Sequence, residues 1–207
     1  MIGQIAANYP SSLFNQVPRG LFNYGAGGVN AWRNICGGPN GGSALLAQLG
    51  APTSVKDEFN AWYERTLFPS NAAFVDWNAG GWTVTTAPRT GAPQAEPQSL
   101  LCHASHGRWL DAAGGEEGGW VASFPGADAA AKVGAAGADR CSKLVYDCVY
   151  KLCELINNWK AGTMPTGALD PSVAACFGCH GSVDPLDPEN CAPEVAGKMR
   201  CTDTCHK

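Results

Sequence analysis

The 207-residue sequence predicts a mainly α protein: a helical N-terminal domain over residues 1–160 with long irregular loops, then a C-terminal segment over 161–207 with little regular structure. Three observations carry this. Apolar residues recur at i, i+3, i+4 and i+7 in two stretches, the period of a helix with one buried face. The chain holds 26 glycines and 14 prolines, which punctuate regular structure between those stretches. Past residue 160 the pieces are short and carry two Cys–Cys–His clusters in place of an apolar period.

In chain order, Met1 to Asn8 reads as the tail of a helix ended by Pro10-Ser11-Ser12. After Tyr24-Gly25-Ala26-Gly27-Gly28 a helix is expected through Val29, Trp32, Ile35 and Cys36, interrupted by Gly37-Gly38-Pro39-Asn40-Gly41-Gly42. It resumes over Ser43 to Leu49, with Gly50 as its cap. Ser54-Val55-Lys56-Asp57 resembles a capping box, behind which Phe59, Trp62, Tyr63 and Leu67 fall at helical spacing as far as Pro69. Residues 70–98 read as loop with a short strand at Trp82 to Thr86, and 111–139 as loop with a helical tendency from Ala127 to Val133. The clearest helix is 140–159, where Leu144, Val145, Cys148, Val149, Leu152, Leu155, Ile156 and Trp159 form a stripe for core packing. Irregular stretches of this length need tethers, which covalent cofactors or disulfides supply.

The C-terminal segment supplies such a tether. Cys176-Phe177-Gly178-Cys179-His180 is a C-x-x-C-H run, the attachment signature of a c-type haem. Its thiols sit one helical turn apart to meet two vinyl groups of one porphyrin, and the adjacent imidazole is directed at the iron. Cys201-Thr202-Asp203-Thr204-Cys205-His206 is a near-copy with one extra residue between its thiols. A zinc ligand pair or a thiol redox site is the competing use of a lone C-x-x-C, and a disulfide competes for Cys201 or Cys205. The histidine that closes each cluster favours haem, and hence two covalently bound haem c groups.

The chain has four histidines. His180 and His206 are proximal ligands in this reading, which leaves His103 and His106 as distal ones. At i, i+3 the latter pair would point the same way from a helical turn. Met164 and Met199 are the alternative axial ligands, which would raise the potential. Of ten cysteines, Cys36, Cys102, Cys141, Cys148, Cys153 and Cys191 stay outside the motifs. They allow three disulfides in fifteen pairings, a buried thiol at Cys148, or an iron–sulfur cluster on part of the set.

Composition excludes several classes. Charged residues make up 15% of the chain, against about 25% in a typical protein, and the net charge of −4 comes without a basic stripe for nucleic acid. So little charge favours self-association. No run approaches the roughly 18 to 20 apolar residues of a membrane span. Gly37 to Gly42 lacks the Lys-Ser/Thr of a phosphate loop, and Asp57, Glu58 and Glu64 look like a solvated helix face. The start has no basic and apolar leader. Covalent haem and many cysteines imply export to the periplasm or beyond, so the expectation is a chain whose export signal is missing.

Blocks outside the haem motifs resemble the split-Soret cytochrome c family. They are Phe22 to Val29 with Trp32 and Cys36-Gly37; Ser99 to Ser105 with Trp109; and Arg140-Cys141 opening a helix that ends in Leu155-Ile156-Asn157. The resemblance implies a mainly helical, dimerising protein with haems gathered at one end, where one subunit can supply an axial histidine to its partner. It also implies a cysteine-rich redox site, matched here by Cys36, Cys102 and Cys141. The chain departs from the relatives in starting where an upstream cysteine segment is expected, in His106, and in the loops over 70–98 and 111–139.

The expected function is outer-sphere electron transfer between redox partner proteins or extracellular acceptors, in a dimer or a filament with haem ligation in trans. A haem oxidoreductase with one open iron site is the alternative. A structural or zinc protein without haem comes third.

Overall fold

A computed structural model describes residues 7–8, 10–11, 16, 19–79 and 92–164 of the chain. A 3-10 helix spans Arg19–Gly25, followed by α1 (Gly37–Gln48), α2 (Thr53–Arg65), α3 (Asn71–Ala79), α4 (Cys102–Ala112), the single turn α5 (Gly119–Ala122) and α6 (Ala129–Ala161). Among the described residues the only β pairing is two isolated antiparallel bridges, Ile35 with Leu101 and Phe68 with Ala95. The mainly α expectation is met.

The 33-residue helix α6 is the spine. It begins where the Asp128 carboxylate accepts the Ala131 N–H at 2.8 Å, and it ends at Gly162, whose φ of 71° is the left-handed cap that glycine adopts readily. The C-terminal half of α6 packs Leu144, Cys148, Leu152 and Leu155 against Leu46 of α1 and Val55, Phe59 and Tyr63 of α2. Its N-terminal half, through Ala136, joins a second cluster of Trp109, Ala113, Val121 and Phe124. One helix therefore holds two small cores together.

The run Gly37 to Gly42, expected to break a helix, lies inside α1. Glycine costs about 1 kcal/mol relative to alanine in a helix interior, so burial must compensate. A Cβ on Gly42 would lie 2.3 Å from the Phe59 ring, and one on Gly38 would lie 2.8 Å from Cys148 Sγ. These glycines let α1 approach α2 and α6 closely. Conversely, Val29 to Cys36 is not helical: Val29, Asn30, Ala31 and Arg33 all have positive φ.

Three further differences concern where helices start. The Ser54–Asp57 box does not form, because α2 already starts at Thr53 after Pro52 with no side-chain cap. Helix α3 lies within the expected loop over 70–98. Ser70 receives the Ala73 N–H at 3.0 Å and is itself held by Asp147 of α6, whose carboxylate accepts the Ser70 N–H at 2.9 Å. Helix α6 starts at Ala129, so residues 111–139 hold α5 and the first turns of α6. The proposed strand at Trp82 to Thr86 and most of the N-terminal helix lie outside the described residues, although Ala7 and Asn8 are helical.

Candidate functional site

The block before α1 builds a left-handed turn that organises the rest. Gly27, Gly28, Val29, Asn30 and Ala31 have φ of 63°, 74°, 60°, 50° and 66° in succession. L-residues with side chains avoid this region, most of all β-branched Val29, so the surroundings must hold the turn in place. Gly28 could carry no side chain, since a Cβ there would sit 2.5 Å from the Cys102 Cβ.

The turn delivers two carbonyls to the start of α4. Asn34 O accepts the Cys102 N–H at 2.5 Å, and Arg33 O accepts the His103 N–H at 3.1 Å. These bonds satisfy N–H groups that a helix leaves unpaired at its first turn, and α4 has no side-chain cap. Arg33 O also lies 3.1 Å from His103 Nδ1. A carbonyl only accepts, so Nδ1 carries the proton and Nε2 keeps its lone pair for a ligand. His103 is exposed. A ring nitrogen fixed by a backbone carbonyl is the usual support of a metal-binding imidazole.

His106 faces elsewhere. Its Nε2 lies 2.7 Å from where a Gly137 Cβ would be, and its ring centre is 5.7 Å from that of Trp109. Burial, with Arg140 and Arg33 nearby, lowers its pKa to about 4, so the imidazole is neutral near pH 7. The two histidines share one helical turn but contact different neighbours.

Four cysteines, Cys36, Cys102, Cys141 and Cys148, line a cavity of about 910 Å³ with the glycines of the turn and of α1. Cys36 is the N-cap of α1 and Cys102 the first residue of α4, so two helix N-termini, each with a partial positive charge, meet at the thiols. Burial pushes the Cys36 thiol up, opposed by hydrogen bonds from Tyr63 and the Gly38 N–H and by the charge of Arg140. Burial also raises Cys102, as do Cys36 and Cys141 beside it, while Arg33 pulls it down. Cys148 is pushed well up, first by burial. Cys153, by contrast, is exposed on α6.

Behind this wall lies a polar layer. Arg140 is 2% exposed, and its Nη2 donates to the Ser105 hydroxyl at 2.6 Å and the Ser105 carbonyl at 3.1 Å. Its Nη1 is 3.9 Å from Cys141 Sγ, and its buried Nε has no partner. The Tyr63 hydroxyl is hydrogen-bonded to the same Ser105 hydroxyl at 2.9 Å. The sequence reading passed over Arg140, Tyr63, Ser105 and Arg33 as site residues. Arg140 had a detectable signature: it sits one turn before Leu144 on the apolar stripe, where a charge needs a reason.

The structure thus brings together Cys36, Cys102, Cys141 and Cys148, with His103 next in sequence to Cys102. Among the described residues, no three or more His, Cys, Asp or Glu side chains converge on one metal-ion position. The donors round the cavity are soft thiols, the ligand type of iron–sulfur clusters, with cationic and hydroxyl donors behind them. Met164 packs against the larger core. Cys176, Cys179, His180, Cys201, Cys205, His206, Cys191 and Met199 lie outside the described residues.

No family model matches the chain. It is 26% identical over 217 aligned residues to the split-Soret cytochrome c of Desulfovibrio desulfuricans (strain ATCC 27774 / DSM 6949 / MB), an alignment covering 100% of this chain and 65% of the relative. The chain therefore spans just under two thirds of that protein's length. The fold matches a solved structure described as "a novel iron centre in the split-Soret cytochrome c" from D. desulfuricans ATCC 27774, with a TM-score of 0.70 and 24% identity over 100% of this chain and 76% of the other.

Proposed function

We propose that this chain, a relative of split-Soret cytochrome c in sequence and in fold, is a dihaem c-type cytochrome that carries electrons by outer-sphere transfer. The observation that carries the reading is His103, whose Nδ1–H is engaged by Arg33 O and whose Nε2 is left for an iron. Cys176 and Cys179 would hold one haem with His180 as proximal ligand, and Cys201 and Cys205 the other with His206. His103 and His106 would take the distal positions, in the same chain or from a neighbour. His103 suits this role as it stands, whereas His106 takes it only by leaving its seat against Gly137. Haem, when bound, supplies a one-electron couple. The chain's part would be to hold each haem by its two cysteines and to supply the four histidines as iron ligands, which would leave no iron position for a substrate.

Cys36, Cys102 and Cys141 are read as ligands of an iron–sulfur cluster. Since Cys102 and His103 are adjacent, this centre and one haem would share a single stretch of backbone. Redox partner proteins or extracellular acceptors would receive the electrons, at the periplasmic or outer side of a membrane. No helix among the described residues is long and apolar enough to cross a bilayer. Low charge favours self-association: a closed dimer if the contact is isologous, a filament if it is head to tail.

One observation favours a second reading. His106 points inward, so one iron would stay open, as in a haem oxidoreductase. Spectroscopy separates the two. For the electron carrier, both ferric haems are expected to be low-spin, and the reduced protein should not change its spectrum under carbon monoxide. A high-spin signal of one haem per chain, with carbon monoxide binding, would establish the open site instead.

A further inference from the structure

The deepest cation at the thiol cavity is Arg140, and among the described residues no carboxylate pairs with it. Its contacts are the Ser105 hydroxyl and carbonyl, Cys141 Sγ, and the Trp109 ring 6.0 Å away. A buried guanidinium in neutral surroundings is strongly disfavoured, and here one N–H is unsatisfied as well. Such a group persists when an anion completes its environment. Three thiols that lose their protons to iron would be that anion, because metal binding converts thiol to thiolate. Each already has its own donor: Tyr63 beside Cys36, Arg33 beside Cys102, and Arg140 beside Cys141.

We propose that Arg140, locked by Ser105 and Tyr63, is the positioning counter-charge of the cluster held by Cys36, Cys102 and Cys141. It aims Cys141 and favours the reduced state. The lock is specific. Ser105 Oγ accepts from Arg140 and is hydrogen-bonded to the Tyr63 hydroxyl, so the guanidinium and the hydroxyl that faces Cys36 are fixed by one atom. The anion is therefore stabilised by a fixed charge in a dry layer, with little reorganisation when an electron arrives. This rests on reading the cavity thiols as iron ligands.

The test uses the haem-loaded protein, comparing wild type with Arg140→Met, Arg140→Lys and Tyr63→Phe. Non-haem iron per chain is measured under chelator challenge, and the cluster potential by redox titration followed by electron paramagnetic resonance. Arg140→Met is expected to weaken iron retention about tenfold or more, the usual scale for a group supporting a metal ligand. Any cluster it keeps should have a more negative potential, since a positive charge is gone, and Arg140→Lys should restore part of both. Tyr63→Phe, which keeps the buried ring, should shift the potential and leave iron content near wild type. Iron content and potential unchanged in Arg140→Met would overturn the proposal. So would equal iron loss in the Met and Lys variants with loss of helical circular dichroism, the mark of a purely structural arginine. Wild-type protein with two haems and no non-haem iron would overturn the cluster reading itself, and this proposal with it.

Discussion

His103→Ala is expected to convert one of the two proposed haems from low-spin to high-spin, to let that haem bind carbon monoxide when reduced, and to leave the other unchanged. The effect is large because the proposed role needs the ring's one free lone pair. Arg33 O fixes the proton on Nδ1, so only Nε2 of this exposed residue is offered to an iron. Neighbouring residues cannot replace it. The Cys102 side chain is turned into the cavity, and His106 is seated against Gly137. Imidazole added to the variant should restore the low-spin spectrum, since it fills the vacated position without the chain. If both haems stay low-spin in His103→Ala without added ligand, His103 caps no iron.

Gly42→Ala destabilises the fold even though alanine is the better helix former. The new methyl would lie 2.3 Å and 2.6 Å from two atoms of the buried Phe59 ring and 3.2 Å from Leu152. Overpacking of this kind costs about 1–3 kcal/mol, and the gain of about 1 kcal/mol in helix propensity offsets only part of it. Gly41, its neighbour in α1, is the control: nothing lies within 4 Å of a Cβ placed there. Gly41→Ala should stabilise by about 0.5–1 kcal/mol. Urea melts of the two variants check the claim. Opposite signs are expected, and a Gly42→Ala protein as stable as Gly41→Ala would mean that α1 does not approach Phe59 this closely.

These two positions also mark what the sequence could tell. The Phe59, Trp62 and Tyr63 spacing located α2, and the stripe from Leu144 to Trp159 located the buried half of α6, because a packed helix face writes its period into the chain. Gly50 as the end of α1 was equally legible: its φ of 70° is a local demand that glycine answers. Gly37 to Gly42 misled because glycine has two uses. It breaks helices when alone with solvent, and it permits close approach when a neighbouring ring is present, and that ring is 17 residues away at Phe59. Helix α3 was hidden for the same reason, since its cap is completed by Asp147 of α6.

The site divides along the same line. The two Cys–Cys–His clusters, proposed as haem attachment motifs, would act through covalent chemistry, which needs its residues close in sequence and is therefore readable as text. Cys36, Cys102 and Cys141 had been matched only through family blocks, and the fold places them round one cavity with Cys148. What no spacing rule conveys is the difference between His103 and His106. They sit three apart on α4, but one is fixed by a carbonyl from a left-handed turn and the other fills the space above Gly137. Arg140 could be noticed as a charge on the apolar stripe, but its partner, Ser105, lies on another helix and no spacing rule connects the two.

The most direct measurement of the central claim is the haem content of the purified, unfolded chain, by intact mass and pyridine haemochrome together. Two haems that remain attached after denaturation are expected, one on Cys176 and Cys179 and one on Cys201 and Cys205. A chain with no covalent haem would contradict the electron-carrier reading from its foundation.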